Sequence, residues 1–313
     1  MGSNAMNQAV KILNEVKQAV VGKDEVLARV LLALLARGHI LLEDIPGVGK
    51  TTMALAFSKA LGLGYNRVQF TPDVMPSDIT GFSIFNKETG KMEYQKGAAL
   101  CNLFLADELN RATSRTQSAL LEAMEEGQVT VDGMSHSVPQ PFTVIATQNP
   151  AGASGTQLLP DSQMDRFMVR LSIGYPDAAD EAALLRRKQA GNPLDTVEEV
   201  INKEGLVALQ GQVDAIHAAD EMLDYVVRLI GATRSHPHID QGASPRASLA
   251  VISMAKAAAL VRGRDYVIGE DIRLVFPDTV RHRLILSPKA GEGADKLSPV
   301  QAILQAVPAP RVK

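Results

Sequence analysis

The stretch LLEDIPGVGKTT, residues 41–52, decides the fold. It matches the end of the phosphate-binding loop pattern G-x-x-x-x-G-K-[ST], which joins a strand to a helix. Gly49, Lys50 and Thr51 hold their places in this pattern, whereas Asp44 stands where the first glycine is usual. The alternative is an ordinary glycine-bearing turn, which the length of the match and its position between an apolar run and a helical pattern disfavour.

The loop predicts a site for a nucleoside triphosphate. Pro46 and Gly47 keep the loop tight, so its backbone N–H groups should point at a phosphate. Lys50 is expected to reach the β- and γ-phosphates, and Thr51 to bind Mg²⁺. The predicted phosphate-binding residues are Gly47, Val48, Gly49, Lys50, Thr51 and Thr52.

Short apolar runs alternate with helical patterns through the first two thirds of the chain. This alternation predicts an α/β fold, an αβα sandwich whose parallel sheet is covered on both faces. A helix is predicted over residues 51–61. The predicted strands are residues 39–42, 68–70, 103–106, 144–147 and 168–173.

Two segments interrupt this alternation and predict inserted β-hairpins. Residues 82–85 and 92–94 flank a four-residue turn that ends in glycine. Residues 129–131 and 134–138 flank Asp132-Gly133, a dipeptide typical of tight hairpin turns.

The pattern becomes helical and rich in Ala and Leu after Tyr175-Pro176. We therefore expect a core domain over residues 6–175 and a helical lid domain over residues 176–313. Residues 1–5 resemble an expression scar, with Met6 as the expected native start. No apolar run approaches the roughly 20 residues of a membrane helix, so we expect a cytoplasmic location.

Composition narrows the class of protein. Hydrophobic residues make up 46% and charged residues 21% of the chain, as in ordinary globular proteins. The net charge of −3 disfavours nucleic acid as a partner, because neutralising phosphates requires clustered Lys and Arg. Cys101 is the single cysteine, and we expect it to be buried.

Polar residues follow two further predicted strands. Asp107 and Glu108 come directly after residues 103–106. Asp107 is expected to hold Mg²⁺, and Glu108 to orient and polarise the attacking water. Asn149 offers a neutral amide for the γ-phosphate or the water, although by itself the dipeptide Asn149-Pro150 favours a simple turn.

Several arginines have both a functional and an ordinary interpretation. Arg166 suits transition-state charge on phosphate, or else pairs with a nearby aspartate. Arg246 is predicted in the first turn of a helix capped by Ser244, where it reaches a phosphate or is merely solvated. Arg111 and Arg115 either contact a neighbouring subunit or lie on a solvated helix face.

With these residues in place, the chain resembles the MoxR family of AAA+ ATPases over about residues 6–286. The resemblance rests on an ordered series of motifs rather than on the loop alone. These motifs are residues 41–52, 70–73, 77–81, 107–112, 116–124, 146–150, 159–160, 165–167 and 242–247.

The resemblance implies roles for particular residues. Asn149 is similar to the sensor 1 residue, and Arg166 to an arginine finger donated into the neighbouring subunit's site. Arg246 is similar to sensor 2, which reaches from the lid to the γ-phosphate. Val21 and Gly22 are similar to the segment near the adenine. The two hairpins resemble inserts that face the pore of the ring.

The resemblance also implies a ring of identical subunits, a hexamer, with ATP and Mg²⁺ as cofactors. The implied function is chaperone-like remodelling or metal-cofactor assembly, with partners that carry a von Willebrand factor type A domain. Two alternatives remain open. One is a nucleotide-gated binding scaffold, against which the intact Glu108 argues. The other is a DNA-remodelling motor, which the acidic balance does not support.

Overall fold

A computed structural model of the protein describes residues 2–44, 47–149, 159–291 and 295–310. The helices are α1 Gly2–Ala19, α2 Asp24–Leu35, α3 Lys50–Ala60, α4 Pro76–Thr80, α5 Ser114–Glu126, α6 Asp161–Met164, α7 Ala178–Ala190, α8 Lys203–Ala215, α9 Asp220–Ser235, α10 Pro245–Val261, α11 Gly269–Val280 and α12 Leu297–Ala306. The strands are β1 Ile40–Glu43, β2 Tyr65–Gln69, β3 Gly81–Asn86, β4 Lys91–Lys96, β5 Leu103–Asp107, β6 Gln128–Val131, β7 Met134–Ser137, β8 Thr143–Gln148, β9 Val169–Leu171, β10 Ile239–Gln241 and β11 Ile285–Leu286.

The predicted α/β fold is confirmed. Five strands form one sheet in the order β2-β5-β8-β1-β9, and every neighbouring pair is parallel. These are the five strands that the sequence predicted, shifted by a few residues at their ends. Because the strands are parallel, the loops that follow them meet at one edge of the sheet.

Alternate residues of the central strands point into two separate cores. Ile40 and Leu42 of β1 pack with α1, α2, α3 and the C-terminal helices. Leu41 faces the opposite core, together with Phe104 and Val144 of the neighbouring strands. This alternation follows from the two-residue period of a strand, and it buries the sheet on both faces.

The two hairpins form as predicted. β3 pairs with β4, and β6 pairs with β7, each antiparallel. The hairpins also contact each other, since the rings of Tyr94 and His136 stack with their centres 3.6 Å apart. Both hairpins lie outside the five-stranded sheet.

The C-terminal helices share one continuous core with the N-terminal ones. Met254 of α10 and Phe276 of α11 are buried in the same cluster as Leu31 of α2. Ala5 is also buried there, so the fold includes residues that we expected to be an expression scar. Cys101 is buried as expected, and burial raises the pKa of its thiol to about 12. Among the described helices, none has the length and apolar character needed to span a membrane.

Candidate nucleotide-binding site

The phosphate-binding loop follows β1 and leads into α3, which begins at Lys50. Gly47 and Gly49 have φ angles of +88° and +93°, a region that side-chain-bearing residues rarely adopt. A Cβ atom on either glycine would meet no neighbouring atom, so both border open space at the start of the helix. This is the geometry of a phosphate cradle. The sequence predicted that Pro46 keeps the loop tight and, as an alternative, that Asn149-Pro150 forms a simple turn. Both prolines lie outside the described residues.

Lys50 is buried at the first position of α3. Its Nζ donates a hydrogen bond to the main-chain oxygen of Asp44 at 2.8 Å. Burial lowers the pKa of Lys50, and the nearby carboxylates of Asp107, Asp44 and Glu108 oppose that shift. Because three acids surround this single ammonium, a polyphosphate would bind here together with a divalent cation.

Asp44 has a structural role that explains why it replaces the usual glycine. Its carboxylate accepts hydrogen bonds from the Ser172 hydroxyl at 3.1 Å and the Gly174 N–H at 2.8 Å, and also from the N–H of Ile173. These donors lie just after β9. The carboxylate therefore ties the start of the loop to the chain that leads into the C-terminal helices, a function glycine cannot supply.

Asp107 ends β5 beside the loop, as predicted. One carboxylate oxygen accepts the Thr147 hydroxyl at 2.6 Å, and the other accepts the Arg67 guanidinium at 2.7 Å. Carboxylate and hydroxyl oxygens, here those of Asp107 and Thr51, are ligands that Mg²⁺ prefers. In the described part of the chain no group of three His, Cys, Asp or Glu side chains is placed to hold a metal ion. Mg²⁺ is commonly held by few protein ligands together with substrate phosphates, so the residues present fit that ion.

Glu108 is held in a strained conformation, with φ +55° and ψ +45°. Its N–H donates to the Thr147 hydroxyl oxygen at 2.8 Å. Its carboxylate accepts Arg111 at 2.8 Å and the Asn149 amide at 3.4 Å. Such strain at a non-glycine residue is typical of functional sites. Arg111, which the sequence analysis considered for a subunit contact or a solvated helix face, contacts the predicted catalytic carboxylate within its own chain.

Two adjoining cavities form a cleft of the size and polarity of a nucleotide. The first, of about 410 Å³, is lined by Gly47, Gly49, Lys50, Thr51, Thr52, Arg67, Gln69, Asp107, Glu108 and Asn149. The second, of about 330 Å³, has a largely apolar lining that includes Val21, Val48, Pro176, Leu184 and Pro193. The cavities share Gly47, Gly49 and Thr52. Phosphates fit the polar cavity, and a base fits the apolar one.

Gly22, which was predicted near the adenine, contributes through its backbone. Its φ angle is +68°, and a Cβ atom there would overlap the carboxylate of Asp180 in α7. The close approach brings α7 against the segment that carries Val21. Three further hydrogen bonds secure α7 and the preceding turn. Lys23 donates to the Tyr175 oxygen at 2.7 Å, and Arg187 donates to two main-chain oxygens near the end of α1.

Arg166 and Arg246 lie together in a different cavity, of about 520 Å³. The carboxylate of Glu125 bridges them, with one oxygen 2.6 Å from Arg166 and the other 2.7 Å from Arg246. His39 and Met168, which directly precede β1 and β9, line the same cavity.

The two sites lie at opposite ends of the sheet. The arginine cavity is at the amino ends of β1 and β9, and the phosphate loop follows the carboxyl end of β1. Because β1 has four residues at about 3.3 Å each, roughly 13 Å of strand separates these ends. Arg246 does not reach the phosphate cavity of its own chain, contrary to the sequence expectation. The reason is that the first turn of α10 stands beside Glu125.

The sequence resembles those of other proteins along nearly its whole length. Residues 39–169 match the ATPase family associated with various cellular activities (AAA), and residues 231–307 match the AAA lid domain. The chain is 46% identical to the uncharacterised protein YeaC of Bacillus subtilis, over 96% of this chain and 94% of that protein. It is 40% identical to the chaperone MoxR1 of Mycobacterium tuberculosis, over 95% and 81% of the two chains.

A solved structure extends the likeness to the whole fold. The crystal structure of a candidate ATPase from Cytophaga hutchinsonii superposes with a TM-score of 0.92 at 35% identity. The match covers 99% of this chain and 97% of the other.

Proposed function

Because the chain belongs to the MoxR family of AAA+ ATPases, we propose that it assembles into a ring and uses ATP hydrolysis to remodel or mature a partner protein. ATP hydrolysis follows from the family and from the nucleotide-binding fold. The ring, the division of labour between subunits and the partner are the further steps of the proposal.

The separation of Lys50 from Arg166 and Arg246 is the observation that supports the ring. Charge that develops on a transferring phosphoryl group needs fixed cations close to it. Lys50 meets this need at one end of the sheet, and the two arginines lie at the other end. In a ring, the amino end of one subunit's sheet can face the neighbour's phosphate loop. We propose a closed hexamer, whose repeated interface places both arginines of each subunit on the next subunit's ATP.

Within one subunit, the remaining roles follow from the phosphate cavity. Lys50 binds the β- and γ-phosphates, and Thr51 and Asp107 hold Mg²⁺, which neutralises charge on the phosphates. Glu108 accepts a proton from the attacking water, and Arg111 keeps the carboxylate in place.

The second, largely apolar cavity, which fits the base, links ATP to the C-terminal helices. Its lining comes from the segment around Val21, from the phosphate loop and from α7 with the turn after it. We propose that residues 6–175 act as the ATPase core and residues 176–313 as a lid, with the boundary at Tyr175-Pro176. A change at the γ-phosphate then alters how α7 packs on the core, and the lid transmits that change around the ring.

A chaperone-like role is supported by the 40% identical relative that is named a chaperone. We propose that the partner is a cytoplasmic protein with a von Willebrand factor type A domain, and that metal-cofactor maturation is one outcome of the remodelling. The hairpins offer exposed apolar side chains for gripping such a partner. These side chains are Phe82, Ile84, Phe85, Met92 and Met134.

The proposal is tested with two variants that stop the cycle at different points. Glu108→Gln should bind ATP and hold its partner, whereas Lys50→Ala should fail to bind ATP and hold none. Proteins retained by tagged Glu108→Gln but not by Lys50→Ala are identified by mass spectrometry. The purified partner is then incubated with wild-type protein and ATP, and its sensitivity to a protease is followed. A partner whose protease pattern is the same with and without ATP would refute remodelling.

A further inference from the structure

Arg283 grips the backbone on both sides of Arg166. Its side chain is only 3% exposed, and it comes from the turn after α11. The guanidinium donates to the main-chain oxygens of Asp165 at 3.0 Å, Phe167 at 2.8 Å and Met168 at 3.4 Å. It also donates to the Asp165 carboxylate at 2.7 Å. A single side chain therefore fixes the peptide groups before and after Arg166.

Asp165 extends the same contact to the helix that carries Arg246. Its carboxylate accepts the hydroxyl of Ser244 at 3.2 Å. Ser244 directly precedes α10, and Arg246 lies in the first turn of that helix. One ion pair, between the buried Arg283 and the partly exposed Asp165, thus joins the segment of Arg166 to the segment of Arg246.

We propose that Arg283 is a positioning residue for the two arginines that act on the neighbouring subunit's ATP. It holds their backbones in one arrangement, so that both guanidinium groups face the incoming γ-phosphate together. The inference rests on the proposed ring. It assigns a function to a lid residue that the sequence analysis did not single out.

The chemistry of Arg283 supports positioning over simple packing. Burial lowers the pKa of its guanidinium, and the hydrogen bond and charge of Asp165 oppose that shift. A buried guanidinium is costly unless its donors are satisfied, and here its donors meet several oxygens around one loop. Lysine has three donors on a flexible stem and cannot reproduce this planar fork. Arg283→Lys should therefore keep the charge and loosen the loop.

The test uses the fact that, in the proposed ring, each subunit gives its phosphate cavity to one neighbour and its arginines to the other. Arg283→Lys should bind ATP as well as wild type, because its phosphate cavity is at the other end of the sheet. Its turnover should fall on the order of 10-fold or more, since small misplacements of catalytic groups are costly. Mixed with Glu108→Gln, it should regain activity, because the Glu108→Gln subunits supply well-placed arginines. Mixed with Arg166→Ala, it should stay low, because neither parent supplies them.

Arg264→Lys is the matched control. Arg264 pairs with the fully buried Asp271 of the same lid at 2.6 Å, away from the arginine cavity. This variant should lose thermal stability without a loss of turnover at temperatures below its melting point. If it loses as much turnover as Arg283→Lys, general destabilisation explains both variants and the inference is wrong.

Other outcomes also decide the matter. Normal turnover of Arg283→Lys, or rescue by Arg166→Ala in place of Glu108→Gln, would overturn the inference. Should Arg283→Lys fail to fold, Ser244→Ala removes only the hydroxyl bond to Asp165. It should lower turnover several-fold, with the same pattern of rescue, and unchanged turnover would count against the inference. A dead mixture of Arg166→Ala with Glu108→Gln would instead point to failure of the proposed ring.

Discussion

The carboxyl end of the central sheet and its amino end differ in how their functional residues are brought together. At the carboxyl end, Lys50, Asp107 and Asn149 lie at or after the ends of three adjacent parallel strands and line one cavity. At the amino end, Arg166 and Arg246 come from different parts of the chain, and the carboxylate of Glu125 binds both. The first end is a phosphate site whose second cation, Arg67, is bound to the carboxylate of Asp107. The second end has two further cations, Arg166 and Arg246, and lies away from the phosphate loop.

This difference predicts which end of the sheet can function in a single subunit. The carboxyl end should bind ATP in an isolated chain, because the predicted phosphate-binding residues 47–52 all lie within it. In the proposed ring, the amino end gains its function against another copy of the chain. Binding and turnover should therefore respond to different residues, and substitutions can separate them.

The largest expected effect comes from Arg166→Ala. Loss of an arginine finger typically lowers turnover by about 10³–10⁵-fold. ATP affinity, measured with a fluorescent nucleotide, should stay within a few-fold of wild type, because Arg166 is remote from the phosphate cavity. An equal loss of ATP affinity would contradict the separation of the two ends of the sheet, since it would place Arg166 in the same site as Lys50. Lys50→Ala is the matched control that should lose binding.

The carboxyl end was predictable from sequence because its residues are local to strand ends. A strand followed by a loop fixes where Lys50, Asp107 and Glu108 point, and the parallel order of the strands brings them together. The contacts that Arg67 and Arg111 make in this site were not predicted, because a charged residue in a strand or turn gives no sign of its partner.

The amino end was less predictable because its contacts join distant segments. No local pattern shows that Glu125 binds two arginines, or that Arg283 reaches the peptide groups around residue 166. The family resemblance identified Arg166 and Arg246, but it could not place Arg246 at the other end of the sheet. Only packing of α10 and α11 against the core sets that arrangement.

An intermediate effect, on stability, is expected when the pH is lowered, because of His39 at the amino end of the sheet. His39 is buried, with its Nδ1 accepting from the Val144 N–H and its Nε2 donating to the Met124 oxygen. Burial lowers its pKa to about 4, although the bond to Met124 opposes the shift. The unfolded value is about 6.5. The stability contributed by neutral His39 is therefore fully present above about pH 6.5, and it is lost as the pH falls towards 4.

Within that window, the free energy of unfolding should fall by about 1.4 kcal/mol per pH unit for this histidine. Denaturant titrations of wild type and His39→Gln at several pH values measure the slope. The variant should show a shallower slope, although burial also lowers the pKa of His282, which it retains. Equal slopes for the two proteins would show that His39 is not held neutral.

The smallest expected effect comes from Glu125→Gln. In the isolated subunit the Glu125 carboxylate occupies the donors of Arg166 and Arg246 that the neighbour's γ-phosphate needs. Partly exposed ion pairs are worth at most about 1 kcal/mol each. Glu125→Gln should therefore lower the protein concentration that gives half-maximal ATPase activity by about 3- to 10-fold.

Glu122→Gln is the control for Glu125→Gln, since it removes the same charge from an exposed position one turn earlier in α5. ATPase activity is followed against protein concentration for both variants. An identical midpoint for the two would mean that only net charge matters, and a lowered maximal rate for Glu125→Gln would mean that Glu125 aids the chemistry.

The most direct test of the composite site mixes two inactive variants. Glu108→Gln lacks the catalytic carboxylate and should turn over on the order of 10²-fold more slowly or worse, whereas Arg166→Ala lacks the finger. If the site is shared, some interfaces in mixed rings join an intact Glu108 to an intact Arg166. The mixture should then hydrolyse ATP faster than either parent, and the gain should rise with protein concentration. A mixture that stays inactive while sedimentation shows mixed rings would contradict the account.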